Sequence, residues 1–215
     1  AAGGHQIFYV GGCVRNALLG VAATDVDMST SATPEQVIAL AQAAGLKPVP
    51  TGIEHGTITV VSDGIGYELT TFRRDVETDG RRAVVAFSDD ITDDARRRDF
   101  TMNAIYADAN GIVFDPLGGM DDLRNRRVRF IDNADQRIRE DYLRTLRYFR
   151  FFAWYGNTAE GLDADALAAI SSNLDGLETL SAERVTAEMR KLLEAADPSQ
   201  AIAAMAQTGV LGTIL

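Results

Sequence analysis

A mixed α/β head followed by an all-helical segment is the architecture this 215-residue sequence predicts. Three observations predict it: a strand, a glycine turn and a helix in succession near the start, further strand signals up to about 131, and helical periodicity alone from Asp135 onward. Ile7-Phe-Tyr-Val10 reads as a short buried strand, Gly11-Gly12 as a tight turn, and Val14 to Leu19 as a helix stopped at Gly20. Asp25-Val-Asp-Met28 alternates polar and apolar residues and reads as a second strand. Thr33 is then a helix N-cap with Pro34 in the first helical position, and the helix runs to about Ala44. Strands at 57–62 and 66–73 are joined by Asp63-Gly64, a hairpin turn. Residues 75–95 carry Gly80, several Asp and few periodic apolar side chains, and read as a mobile loop. A helix over 97–105, a strand near 112–114, a turn at 115–119 and a strand at 127–131 complete the first unit. Beyond it Ile138, Tyr142, Leu146, Phe149 and Ala153 form one helical stripe, and further helices span Leu162 to Leu174, Ala182 to Ala195 and Ser199 to Thr208. The boundary falls at 131/132, giving a head over 1–131 and a helical neck over 132–215.

A hydrophobic content of 46% suffices for a buried core, which excludes disordered and fibrous classes. No apolar run approaches the roughly 18 residues of a membrane span. One cysteine, Cys13, cannot make an internal disulfide, and no basic-then-apolar leader opens the sequence, so a cytoplasmic location is expected. The first residue is Ala and the chain ends Gly-Thr-Ile-Leu, so it is expected to be trimmed at one or both ends. The net charge of −10 argues against nucleic acid until it is mapped. Sixteen of the 21 basic residues lie between Arg73 and Arg150, all of them Arg and matched there by 16 acids. Arginine is the residue for planar, bidentate recognition of phosphates and base edges, although solvated surface ion pairs would give the same composition.

On a strand, residues i and i+2 share a face, so Asp25 and Asp27 are expected to converge while Val26 and Met28 turn to the core. Adjacent carboxylates repel unless a cation neutralises them, and hard oxygen donors suit Mg²⁺ or Mn²⁺. Gly11-Gly12, at a strand-to-helix turn, permits close backbone approach of an anion such as a triphosphate. Glu68, inside an apolar strand, is either on the solvent face or a third carboxylate of the cluster. Three carboxylates around two cations roughly 4 Å apart clamp the entering and leaving oxygens of phosphoryl transfer. With only His5 and His55 beside one cysteine, a zinc site is not expected. Asp141 and Arg144, read as i, i+3 on one helix, share a face. Asp accepts hydrogen bonds and Arg donates them. Cytosine and adenine offer an amino donor beside a ring-nitrogen acceptor, whereas uracil and guanine reverse both, so such a pair accepts C and A and rejects U and G. A surface ion pair is the other reading of the same spacing. Tyr148, Trp154 and the phenylalanines of 149–152 read as packing within the neck.

The run Tyr9-Val-Gly-Gly-Cys-Val-Arg-Asn-Ala-Leu-Leu-Gly20, then Asp25-Val-Asp-Met-Ser-Thr30, Arg97-Arg-Asp-Phe-Thr-Met-Asn-Ala104, Glu140-Asp-Tyr-Leu-Arg144 and Ser181-Ala-Glu-Arg184 resembles the class II tRNA nucleotidyltransferase and bacterial poly(A) polymerase family. The motifs come in the family's order and cover essentially the whole chain. The resemblance implies an α+β nucleotidyltransferase-fold head with a small mixed sheet flanked by helices, an all-helical neck, and body and tail domains beyond this sequence. It implies that Asp25 and Asp27 bind two metal ions (Mg²⁺ or Mn²⁺), with Glu68 as the third catalytic carboxylate. Gly11, Gly12 and Arg15 would hold the triphosphate; Arg97, Arg98, Asp99 and Asn103 would line the nucleotide pocket; Asp141, Arg144 and Arg147 would complete nucleotide binding. Asn16 departs from the Asp of many members, and little consequence for the chemistry is expected. The implied reaction is attack of an RNA 3′-hydroxyl on a nucleotide α-phosphate with loss of pyrophosphate, and the implied partners are CTP, ATP and the tRNA 3′ end.

CCA addition is the function this reading favours, with poly(A) polymerase and CC- or A-adding enzymes as alternatives in the family and a catalytically silent RNA-binding module as one outside it. Bacterial poly(A) polymerases of the family tend to carry a Gly-Arg-Arg-Phe type stretch after the metal strand, where this chain has Pro50-Thr-Gly-Ile-Glu-His-Gly-Thr57.

Overall fold

The computed structural model describes residues 3–23, 25–79 and 82–215. They divide into two compact units, the first holding residues up to 77, 83–98 and 102–119, the second 78–79, 82, 99–101 and 120–215. In chain order the elements before residue 119 are β1 (Ile7–Val10), α1 (Gly12–Leu18), β2 (Asp27–Thr30), α2 (Pro34–Ala43), β3 (Lys47–Gly52), β4 (Thr57–Ser62), β5 (Ile65–Thr71), β6 (Arg73–Asp79), β7 (Arg82–Phe87), α3 (Ile91–Arg96), β8 (Tyr106–Ala107) and β9 (Val113–Phe114). Seven strands form one sheet in the order β3-β4-β5-β2-β1-β8-β9, and β6 pairs with β7 alone. β2 and β5 run parallel, whereas β1 pairs antiparallel with both β2 and β8, so the sheet is mixed.

The parallel pairing dictates what each face carries. α2 starts as its sequence requires: the Thr33 side chain accepts from the Gln36 backbone, the Gln36 side chain accepts from the Thr33 backbone, and Pro34 takes the first turn. Its apolar side packs Val37 and Ala41 against Ile58 and Val60 of β4, with Leu69 of β5 beside them. Leu69 pairs with Met28 and Glu68 with Asp27, and alternation sends the two pairs to opposite faces. Burial of one face beneath α2 therefore leaves the carboxylates on the other.

Several sequence expectations shift. β2 begins at Asp27 and not at Asp25, which lies in the preceding segment. The expected loop at 75–95 contains β6, β7 and α3; Gly80 and Arg81 lie outside the described residues. The ribbon carries little apolar alternation in β6, and its strands pair with each other, so periodicity gave no signal. The helix expected over 97–105 does not form: α3 ends at Arg96, and only a single 3₁₀ turn at Thr101–Asn103 follows. β3 was not anticipated; it is an edge strand, where the missing N–H groups of Pro48 and Pro50 cost no ladder bond. The strand expected at 127–131 is a single bridge between Phe130 and Phe100.

From 119 onward the elements are α4 (Gly119–Arg124), α5 (Ala134–Glu140), α6 (Leu143–Tyr155), α7 (Ala164–Ser171), α8 (Ala182–Leu193), α9 (Ser199–Gln207) and α10 (Val210–Ile214), with a 3₁₀ segment at Leu174–Thr179. Asn133, Asp163 and Ser181 cap α5, α7 and α8 by accepting backbone N–H bonds. The core of this unit is aromatic. Phe130 stacks on Tyr148 at 5.5 Å, Phe100 lies 4.8 Å from Phe151, and all four are buried. The Tyr148 hydroxyl accepts from the Asp163 backbone at 2.9 Å. Trp154 is exposed and donates to the Lys191 carbonyl. No described helix is long and apolar enough to cross a membrane.

The stripe from Ile138 to Ala153 proves to lie on two helices, because Asp141 is extended (φ −155°, ψ 105°) and breaks the run. Tyr142 stays in phase with the stripe, which hid the break, and its ring lies over Gly176. A Cβ on Gly176 would stand 1.9 Å from that ring, so no side chain fits there without displacement. Gly176→Ala is expected to destabilise the chain by about 1–3 kcal/mol through overpacking. Tyr142→Leu in the same background should recover part of the loss. Urea unfolding of the three proteins checks this; an alanine variant as stable as wild type would contradict the packing described.

Candidate active site

β1 ends in a turn that only glycine fits. Gly11 adopts φ 73°, ψ −127°, and a Cβ there would lie 3.3 Å from Nη1 of Arg98. The chain then enters α1 at Gly12, leaving the first backbone N–H groups of that helix without intrahelical partners. Arg98 is fixed behind this turn by three side chains. Its Nη2 donates to Asp94 at 3.0 Å and to the Ser29 hydroxyl at 3.3 Å, and its Nε donates to the Tyr106 hydroxyl at 3.2 Å. Tyr106 in turn donates to Asp94 at 2.8 Å. Asp94 is wholly buried. Burial alone would raise its pKa, but the Arg98 and Arg97 charges and the bonds from Arg98 and Tyr106 outweigh that and hold the carboxyl below the usual range. Burial disfavours the Arg98 cation, yet Asp94 and Tyr106 more than compensate and raise its pKa.

Asp25, Asp27 and Glu68 line one cavity of about 540 Å³, together with Val26, Ile65, Gly66 and Tyr67. Asp27 and Glu68 are register partners across the parallel pair, so they point to one face. Asp25 reaches the same cavity from the segment before β2. Partial burial raises the pKa of Asp27, Arg98 pulls it back, and Asp25 pushes it up again. Among the described residues no three His, Cys, Asp or Glu side chains stand close enough to form a ready-made metal site. The two aspartates nonetheless fit a hard divalent cation: both are oxygen donors, and the Asp25 charge raises the cost of ionising Asp27 until a cation relieves it.

The other expected residues fall into three groups. Arg15 is buried and donates to Asn103 at 2.6 Å and twice to the Asn16 side-chain carbonyl, at 3.1 and 2.9 Å. Asn16 thus uses its amide oxygen as a neutral acceptor for the neighbouring guanidinium. Arg97 stands 3.9 Å from Asp94. In the second unit Asp99 accepts both Nε (2.9 Å) and Nη2 (2.5 Å) of Arg147 and also caps the Phe100 N–H. The Asp99 charge raises the Arg147 pKa against the opposing effect of burial.

The expected pairing of Asp141 with Arg144 on one helical face is not what forms. Arg144 donates to Glu140 at 2.7 Å and to the Arg137 carbonyl at 2.9 Å, and Arg137 also pairs with Glu140. Asp141, extended rather than helical, accepts from Arg184 through both oxygens at 3.1 Å and from the Leu143 N–H at 3.2 Å. Arg184, Glu140, Asp94, Ser29 and Tyr106 are the residues the sequence reading missed. Arg184 sat in a quoted motif, but its partner lies 43 positions away, a contact that no local pattern shows.

The family described as "Poly A polymerase head domain" matches residues 7–129, and one described as "Probable RNA and SrmB- binding site of polymerase A" matches 161–215. The chain belongs to the poly A polymerase head-domain family. Its first unit is accordingly a nucleotidyltransferase head with a mixed sheet flanked by helices. The human mitochondrial CCA tRNA nucleotidyltransferase 1 is 44% identical over 190 residues, covering 88% of this chain and 44% of that protein. The CCA-adding enzyme of Geobacillus thermodenitrificans is 41% identical over 209 residues, covering 96% and 50%. The crystal structure of the Bacillus stearothermophilus CCA-adding enzyme in complex with CTP superposes with a TM-score of 0.84 at 40% identity, over 96% of this chain and 49% of that one. A tRNA nucleotidyltransferase complexed with a primer tRNA and an incoming ATP analog gives 0.78 at 25% identity, over 99% and 60%. The chain spans about half the length of the curated relatives it matches. Poly A polymerase-type heads generally use divalent metal ions.

The raised pKa of Asp27 has a sign that can be tested. A carboxyl whose folded pKa exceeds its unfolded one stabilises the fold below the unfolded pKa and loses that contribution as pH rises through the folded pKa. At neutral pH the ionised Asp27 is therefore unfavourable in the metal-free fold. With a chelator present, Asp27→Asn should melt slightly above wild type at pH 7, and the gain should vanish once the pH falls below the ordinary carboxylate range near about 4. Thermal unfolding against pH measures this; an Asn variant less stable at pH 7 would contradict the electrostatics described.

Proposed function

We propose that this chain is the head (1–131) and neck (132–215) of a template-independent RNA 3′-end nucleotidyltransferase that adds CCA to tRNA 3′ ends from CTP and ATP. The observation that carries the reading is the convergence of Asp25, Asp27 and Glu68 on one cavity in a head whose relatives are named as CCA-adding enzymes. The RNA 3′-oxygen forms a bond to the α-phosphorus, the bond from that phosphorus to the β-phosphate bridging oxygen breaks, and pyrophosphate leaves. Asp25 and Asp27 would hold Mg²⁺ (or Mn²⁺), with Glu68 as the third carboxylate. When bound, such a cation neutralises phosphate charge and lowers the pKa of the attacking hydroxyl.

The remaining work is positioning and charge stabilisation by the chain itself. Gly11 and Gly12 offer backbone to the triphosphate, and the charges of Arg98 and Arg97 favour its approach. Arg15 and Asn103 brace the turn, and in the second unit Asp99 holds Arg147 by two hydrogen bonds. Asp141 is the acceptor for the exocyclic amine of C or A, held in orientation by the two-pronged Arg184 contact. Arg144, anchored on Glu140, is the donor to the ring nitrogen. Uracil and guanine would set a carbonyl oxygen against Asp141 and a ring N–H against Arg144, leaving both groups unpaired. We place the reaction in a reducing compartment, the cytoplasm, on the strength of one buried cysteine; the human relative is named as mitochondrial.

Incubation with a tRNA lacking its 3′ CCA, Mg²⁺ and each nucleotide singly tests the reading. CTP alone should add CMP, CTP with ATP should add CMP and then AMP, UTP and GTP should not be used, and Asp25→Ala or Asp27→Ala should abolish incorporation while leaving the fold intact. ATP-only extension of any RNA would replace this reading with poly(A) polymerase. Full turnover in either alanine variant would reject the site.

Selectivity should also respond to Asp141. Loss of one charge-assisted hydrogen bond costs about 1.5–3 kcal/mol, so Asp141→Ala should lose roughly ten- to a hundredfold in discrimination against UTP and GTP. An equal drop for all four nucleotides would show that Asp141 is structural only.

A further inference from the structure

The exposed positive charge of the second unit is concentrated where α4 ends. Residues 121–129 hold four arginines against two aspartates in a chain whose net charge is −10. The backbone there is fixed by hydrogen bonds on both sides. Arg126 N–H donates to the Leu123 carbonyl at 3.1 Å and Arg127 N–H to the Asp122 carbonyl at 2.8 Å; Asn157 N–H donates to the Arg126 carbonyl at 2.9 Å, and Thr101 N–H to the Arg129 carbonyl at 3.1 Å. Arg126 occupies the left-handed region at φ 52°, a conformation unusual for a residue with a long side chain. Leu123, Val128 and Phe130 are buried, while Arg124, Arg126, Arg127 and Arg129 are exposed.

The two acids do not cancel this charge. Asp122 is buried, gives one oxygen to the Thr101 hydroxyl at 2.8 Å, and faces both Arg127 (3.8 Å) and Arg129 (3.4 Å) with the other. Asp121 is a solvated partner to Arg124, a pair of little energetic weight. Arg126 makes no ion pair among the described residues. The segment that matches the RNA-binding description, 161–215, carries eight acids and three bases, which disfavours a polyanion along most of its surface.

The geometry points to the Arg124–Arg129 turn as a docking site for the phosphodiester backbone of the RNA substrate. This inference rests on the nucleotidyltransferase reading above. Guanidiniums presented outward from a pinned backbone suit successive phosphates, which need charge and forked donors but no enclosing cavity. The turn would position the RNA and leave nucleotide selection to other residues.

The test is a double variant, Arg124→Gln with Arg126→Gln, which leaves the Asp122 contacts in place. Affinity for a tRNA lacking its 3′ CCA is measured against salt concentration, beside the KM for CTP. Affinity should fall roughly tenfold near 0.1 M salt, and the slope of log affinity against log salt should drop by about 1 for each arginine removed. KM for CTP and the melting temperature should not change. A variant that binds tRNA with wild-type affinity and slope overturns the proposal, including the case in which the turn instead meets a protein. A wild-type chain that extends tRNA while the variant is unaffected refutes the turn alone; a wild type that neither binds nor extends RNA removes the functional reading with it.

Discussion

The head is organised around one mostly buried cation. The Arg98 side chain keeps 20% exposure, against 1% for its partner Asp94. An isolated charge in that position would be prohibitive, so the Asp94 carboxylate, the Tyr106 and Ser29 hydroxyls and the tight backbone at Gly11 are all required together. β1, β2, α3 and β8 each contribute one part of this arrangement, and their short lengths matter less than the point at which they meet. The same cation partly offsets the mutual repulsion of Asp25 and Asp27. The network that holds the glycine turn thus also tunes Asp27, through one guanidinium.

Stability and function pull in opposite directions at the carboxylates. Asp27 and Glu68 are in register because α2 covers the opposite face of β4 and β5. That packing is ordinary core formation. Ionised Asp27 is unfavourable in the metal-free fold, and its raised pKa is the sign of that cost. Charge is also uneven along the second unit, where residues 121–129 hold four arginines against two aspartates and residues 161–215 eight acids against three bases.

Much of this was legible in the sequence where the relevant physics is local. β1, α1, the Thr33 cap, the Asp63-Gly64 hairpin and β9 follow from periodicity and turn chemistry within a few residues. Elements whose cause is tertiary were lost. β3 exists because an edge position tolerates Pro48 and Pro50, and the β6–β7 ribbon forms by its own pairing without an apolar stripe. Asp141 breaks a helix that the in-phase Tyr142 made continuous on paper. The site divides along the same line. Carboxylates two apart and a glycine pair announce themselves, whereas Asp94, Tyr106 and Arg184 act through partners that only the fold supplies.

The claim that the fixed Arg98 fork serves the nucleotide triphosphate is tested most directly by the equilibrium affinity of Arg98→Lys for CTP in the presence of Mg²⁺. Lysine keeps the charge but cannot span Ser29, Asp94 and Tyr106 as a planar fork. In a variant whose near-UV circular dichroism matches wild type, CTP affinity should fall about tenfold, because the Gly11–Gly12 turn loses the guanidinium that three partners hold in place behind it. Unchanged CTP affinity in that folded variant would contradict the account.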